Sequence, residues 1–155
     1  MNPMKRPEDS EDSVARRAER FQRVRDAHQT ELAEDYVELI AELIDEKGEA
    51  RLVDLSGRLG VTKATVNNTI QRLQRDGLVT SQPYRSIFLT EKGRDLAEAS
   101  RERHRVVTEF LVALGVDADM AESDAEGIEH HVSEATLTAF RRYLQKAKRA
   151  GGSRT

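Results

Sequence analysis

At 155 residues the chain is long enough for one domain, or for two small ones sharing a core, and 37% hydrophobic with 34% charged residues suits a soluble, helix-rich protein. The absence of cysteine excludes disulfides, thiolate metal sites and cysteine catalysis, and no apolar run approaches the ~18 residues of a membrane span. Nor does the N-terminus lead into the apolar stretch of a secretory signal, so a cytoplasmic protein without membrane contact is expected. The net charge of −3 hides segregation: residues 1–50 carry 8 basic and 14 acidic side chains, residues 51–94 carry 8 and 3, residues 95–140 carry 3 and 11, and residues 141–155 carry 6 and none. A basic middle between acidic flanks fits an anion-binding module joined to a part that tolerates or wants cations, although merely solvated faces would give the same pattern.

Residues 1–12 are polar, with two prolines, and are expected to be a disordered tail. From 14 to 47 the spacing predicts a helix: Phe21, Val24, Leu32, Leu39 and Leu43 recur at helical intervals, Val37, Ile40 and Ile44 widen the stripe, and Gly48 is a natural stop. No proline interrupts this stretch, although a break near Ala27-His28 is conceivable. Leu52, Val53, Leu55 and Leu59 then supply one side of a short helix ending at Gly60. Thr62 is the N-cap expected for a helix over 63–76, stopped by Gly77, with Val66, Ile70 and Leu73 facing inward. Residues 78–80 and 86–90 read as short strands around a polar tip, Ser81-Gln82-Pro83-Tyr84-Arg85. Thr90 caps a helix over 91–114, Asp117 opens one over 118–131, and Ser133 caps a last helix running to about 148 before a loose Gly-rich tail at 150–155.

Helix, helix, tight turn, helix and a two-stranded wing is the order of a winged helix-turn-helix. With Val66, Ile70 and Leu73 inward, Ala64, Asn68, Gln71 and Arg75 turn outward, flanked by Thr65, Asn67 and Arg72. Amides pair with adenine edges, arginine with guanine or phosphate, and an alanine methyl with thymine; Lys63 and Arg85 are better placed for phosphate. Winged helices also serve as protein–protein modules, but the basic balance and the lack of apolar residues on the outward face favour DNA. The fold class expected is mainly α: a winged-helix DNA-binding domain over 13–93 and a helical domain over 94–149.

A regulator of this kind needs a sensor, and the remaining segments are acidic. In Glu126-Gly127-Ile128-Glu129-His130-His131, Glu126, Glu129 and His130 stand at i, i+3 and i+4, so on a helix all would project from one face. Two carboxylates and an imidazole converging in this way form half of a divalent-metal site. Asp35 and Glu38 sit at i, i+3 on the first helix, and His104 lies on the helix after the wing. Acidic pairs and lone histidines are most often solvated surface; these make a site only if the three helices meet. A carboxylate-bridged di-iron enzyme would carry Glu-x-x-His pairs at i, i+3 on two helices, whereas here His130 is at i+4 from Glu126 and no second pair exists.

The motifs Asp35-Tyr36-Val37-Glu38, Glu91-Lys92-Gly93, Arg103-His104, Glu109-Phe110-Leu111, Leu114-Gly115-Val116 and the 126–131 segment closely resemble the manganese transport regulators, the short members of the diphtheria-toxin-repressor family. The resemblance covers residues 30–140 in order. It implies a winged-helix domain fused to a helical dimerisation domain, a homodimer on a palindromic DNA operator, and metal ligation by Asp35, Glu38, His104, Glu126, Glu129 and His130. The family pattern assigns no role to the 30 or so residues before Asp35. An oxygen-rich donor set with few imidazoles and no sulfur suits Mn²⁺ without defeating the general preference for Zn²⁺ or Co²⁺; a regulator answering to Fe²⁺ or an organic effector is the alternative. His28 and His131 are read as structural or exposed. Metal would tie the first helix to the dimerisation domain and fix the separation of the two recognition helices.

Overall fold

In the computed structural model, residues 11–152 are described. The helical periodicity without a proline gives one helix, α1 (Glu11–Lys47), with no break at Ala27 or His28; Glu11 and Asp12, expected in the tail, form its first turn. The rest of the expected tails lies outside the described residues, except that Ala150 and Gly151 still belong to the last helix and Gly152 caps it. Tyr36, Val37, Ile40 and Leu43 bury one side of α1, while Val14, Phe21 and Val24 in its N-terminal half are exposed.

The winged-helix module follows as α2 (Leu52–Leu59), α3 (Lys63–Arg75), β1 (Val79–Thr80) and β2 (Phe88–Leu89). Thr62 caps α3 by accepting a hydrogen bond from the Thr65 amide at 3.2 Å. The strands are shorter than the sequence suggests, two residues each, paired antiparallel as Val79 with Leu89 and Thr80 with Phe88; an isolated antiparallel bridge joins Ala50 to Ile87. Leu55, Val66, Ile70, Leu73, Val79 and Ile87 close over Ile40 and Leu43 of α1 in one core, so α1 is an integral wall of the module.

The remaining helices are α4 (Glu91–Ala113), α5 (Ala118–Ile128) and α6 (Glu134–Gly151). They share a second, smaller core of Val106, Val107, Ala125 and Leu137. Phe110 of α4 stacks on Phe140 of α6 with ring centres 3.9 Å apart and meets Tyr143 edge-on at 5.4 Å. Much of the apolar face of α6 is thus spent on α4 within the chain. Of that face Leu137 is buried, and Tyr143, 43% exposed, is its most open large side chain.

The wing and α4 are locked by a close backbone approach. The Thr90 hydroxyl donates to the Gly77 carbonyl at 2.6 Å while accepting from the Gly93 amide at 3.1 Å. A Cβ on Gly93 would stand 2.0 Å from the Leu78 carbonyl oxygen. Alanine is the better helix former by about 1 kcal/mol, yet here the overlap with backbone outweighs it. Gly93→Ala is expected to destabilise the fold by about 1–3 kcal/mol; an unchanged or raised thermal unfolding midpoint would contradict this.

Candidate metal centre and nucleic-acid face

The centre forms where α1, α4 and the end of α5 meet. The sequence suggests a helix carrying Glu126, Glu129 and His130 on one face, but α5 stops at Ile128 and Glu129–His131 form a turn of 3-10 helix. Val132 is extended and Ser133 caps α6, so the chain must reverse direction within these few residues, and a tightened last turn does this. Exposure differs along the motif. Glu129 and His130 swing inward and are buried, whereas the Glu126 side chain stays 66% exposed.

Two groups of possible ligand atoms result, each with its atoms within 4.8 Å of one another: Glu31, Asp35 and His130, and His104, Glu126 and Glu129. Glu129 links them. One of its oxygens lies 2.6 Å from His104 Nδ1 and the other 3.3 Å from His130 Nε2. His130 Nε2 is also 3.2 Å from Asp35, and His104 Nδ1 is 3.8 Å from Glu126. Glu38 stands beside both groups and in neither, its carboxylate accepting a short hydrogen bond from the Ser100 hydroxyl.

Several participants were not among the expected ligands. Glu31, one helical turn before Asp35, joins the first group. Glu122 takes the outer nitrogen of His104 at 2.7 Å. Glu34, 2% exposed, receives His130 Nδ1 at 2.6 Å and is itself held by Arg103 Nη1 at 3.1 Å. This Arg103–Glu34–His130 chain fixes the ring and leaves Nε2 facing Asp35 and Glu129, as orienting carboxylates do behind metal-bound histidines. The spacing Glu31, Glu34, Asp35, Glu38 along α1 was the available signal, but sequence does not say which acid faces an imidazole.

The electrostatics are those of a site that wants a cation. Burial pushes the Glu129 carboxyl up to about 7, although His104 pulls it down. Burial also raises Glu38, as do the charges of Asp35 and Glu126, against the lowering effect of Ser100. Burial opposes charge on His130, but the hydrogen bonds its ring donates to Asp35 and Glu34 outweigh it and hold the imidazole up at about 10. His104 is likewise raised: burial is overcome by Glu122 and Glu129. Imidazoles whose charged form is favoured thus face the acids, and a divalent ion bound by oxygen and imidazole donors could take over their work. The donor set fits such an ion.

On the winged-helix module, Lys63, Ala64, Thr65, Asn67, Asn68, Gln71 and Arg72 of α3 are exposed, and so is Arg85 at the wing tip. Thr65 also exchanges a hydroxyl contact with the capping Thr62 at 3.0 Å. Tyr84, beside Arg85, adopts φ +60 and is fully exposed, which places a ring at the wing tip that the sequence did not single out.

A winged helix joined through its first helix to a helical unit with an acidic centre between them defines the class of metal-responsive DNA-binding proteins. Family models agree: residues 28–87 match the iron dependent repressor N-terminal DNA binding domain, and residues 90–151 match the iron dependent repressor metal binding and dimerisation domain. The transcriptional regulator MntR of Escherichia coli O6:H1 is 53% identical over 134 residues, covering 86% of this chain and 86% of that protein. That of Salmonella typhimurium is 50% identical over 134 residues, covering 86% and 85%. Among solved structures, a manganese-dependent transcriptional repressor in complex with manganese shares 31% identity at a TM-score of 0.65, and the manganese regulator SloR 27% at 0.63. Each aligns with 73% of this chain, which spans about half their length, 52% and 53%. The chain belongs to the iron-dependent repressor, or diphtheria-toxin-repressor, family and is an MntR-like member of it.

Two outcomes follow from the geometry. Glu34→Gln keeps an acceptor for His130 but removes the charge between it and Arg103, and is expected to weaken binding of Mn²⁺ by about 10–100-fold in isothermal titration; unchanged affinity would remove Glu34 from the centre. Below its pKa of about 7 Glu129 carries a proton that a cation must displace, and the raised imidazoles compete in the same sense. Affinity should therefore rise with pH from about 6 to about 8 with proton release, visible in buffers of differing ionisation enthalpy; pH-independent binding is the contrary result.

Proposed function

We propose that this chain is a Mn²⁺-responsive transcriptional regulator, a repressor of manganese-uptake genes, that acts in the cytoplasm as a homodimer on a palindromic operator. The observation that carries this is Glu129, a buried carboxylate with one oxygen toward each of two imidazoles, set where the first helix of the DNA-binding module meets the helical domain. The ligands in this proposal are Asp35, Glu38, His104, Glu126, Glu129 and His130, with Glu31 added on geometric grounds. The two groups offer two ion positions with Glu129 between them. Bound Mn²⁺ would supply positive charge and oxygen-tolerant, high-coordination bonding in place of protons.

The protein's own residues do the rest. Asp35 and Glu38 ride on α1 beside Tyr36, Val37 and Ile40, which are buried in the winged-helix core. Drawing these carboxylates toward Glu129 and His130 fixes α1, and with it α3, relative to the helical domain and hence to the second protomer. Two recognition helices held about 34 Å apart reach successive turns of the major groove on one face of the duplex. Lys63 and Arg85 position the protein on phosphate while Asn67, Asn68, Gln71 and Arg72 meet base edges. By linkage, DNA must tighten metal binding by the same factor.

The likeness to transcriptional regulators over most of the chain supports regulation and not catalysis. A duplex selected from a random pool with Mn²⁺ present should bind at least about 10-fold more weakly without it, measured by fluorescence anisotropy. Equal affinity in the two conditions would sink the switch. Glu129→Ala is expected to abolish the Mn²⁺ response while leaving the circular-dichroism spectrum intact; a variant that still responds would overturn the ligand assignment.

A further inference from the structure

Outside the centre, a second group of ligand-type side chains bridges the same two parts of the molecule. His28 and Glu31 lie one turn apart on α1 and project to the side where the 3-10 turn presents His131. His131 Nε2 stands 3.3 Å from Glu31 Oε2, and the rings of His28 and His131 are 5.7 Å apart at an interplanar angle of 57°. As they stand, the ligand atoms of these three residues do not all lie within 4.8 Å of one another, but the two rings are close to the separation of imidazoles that share one ion. With metal–nitrogen bonds of about 2.0–2.1 Å, two imidazoles on a tetrahedral ion have ring centres about 5–5.5 Å apart. His28 and His131 are exposed and Glu31 is half-buried, so side-chain rotation can close the remaining gap. Beside His131 an open pocket lined by Asp124, Gly127, Ile128 and Val132 leaves room for a water or a further carboxylate ligand.

We propose that His28, Glu31 and His131 form a second site, sharing Glu31 with the main centre, for a borderline divalent cation of the Zn²⁺ class. Two imidazoles and one carboxylate with an open fourth position are a tetrahedral zinc donor set, whereas the neighbouring centre is dominated by oxygen. The site joins the N-terminal overhang of α1 to the turn that carries Glu129 and His130. An ion there pins the overhang against the helical domain and gives the protein a response to zinc distinct from its response at the main centre. Glu31 has two carboxylate oxygens and stands between the two places, one toward His131 and the residue as a whole beside Asp35 and His130.

The test is a metal count on the full chain. After equilibrium dialysis against Zn²⁺ and elemental analysis, wild type should hold one equivalent more per chain than His28→Ala, and His131→Ala should match His28→Ala. With Co²⁺ as probe, wild type should show the intense visible absorption of a tetrahedral ion, and His28→Ala should lose it. His28 takes no part in the main centre, so the Mn²⁺ stoichiometry and Mn²⁺-dependent DNA affinity of His28→Ala should equal those of wild type. Equal zinc content in wild type and His28→Ala, or a Co²⁺ spectrum that His28→Ala leaves unchanged, overturns the site. Loss of the Mn²⁺ response in wild type would bear instead on the main function and leave this outcome readable.

Discussion

The position of Glu129 constrains the whole centre. Its carboxylate is almost fully removed from solvent, and ions are removed from water only when something of opposite sign replaces the lost hydration. His104 and His130 do so here, one on each oxygen, and His130 is in turn pinned by Glu34 and Arg103. Because those five residues come from α1, α4 and the turn after α5, the need to compensate one buried charge brings three elements together. The surrounding acids, Glu31, Asp35, Glu38 and Glu126, exceed what two imidazoles and one guanidinium balance. An excess of this kind favours a cation and loosens the junction in its absence.

The junction matters for DNA because α1 belongs to both sides of it. Within two turns of helix, Glu34, Asp35 and Glu38 face the centre while Tyr36, Val37 and Ile40 are buried in the winged-helix core. Close-packed cores transmit displacement without absorbing it, which in the proposed mechanism is how a change at the junction would reach the recognition helix. The wing is tied in independently, through the Thr90 hydrogen bonds and the approach of Gly93 to Leu78. Nothing in this layout asks the DNA-reading face itself to change shape.

Much of the fold is legible in the sequence because its signals are local. Apolar spacing marks the helices, Thr62, Thr90, Asp117 and Ser133 cap where a side-chain oxygen before a helical stretch should, and Gly60, with φ +66, ends α2 in a conformation that favours glycine. The exposed face of α3 also follows from helical periodicity alone. Where local signals were weak, the expectation missed. The start of α1 at Glu11 is hidden by a polar composition that suits tail and solvated helix alike, and the strands shrink because only Val79–Thr80 and Phe88–Leu89 find ladder partners. On α6, Leu137 and Phe140 pack within the chain, Phe140 on Phe110, while Tyr143 stays 43% exposed.

The sequence by itself determined the inventory of the site: acids and imidazoles with no sulfur, carried on helices flanking a basic DNA-reading module. Tertiary structure alone decided the partition. It divided that inventory into two groups sharing Glu129, set Glu38 on Ser100, drew Glu31 inward, and recruited Glu34 and Arg103 as supports for His130. The reason is that helical spacing fixes which residues share a face but not what that face meets. The reversal from α5 to α6 also puts Glu129 and His130 on a 3-10 turn, where α-helical spacing no longer decides which residues share a face.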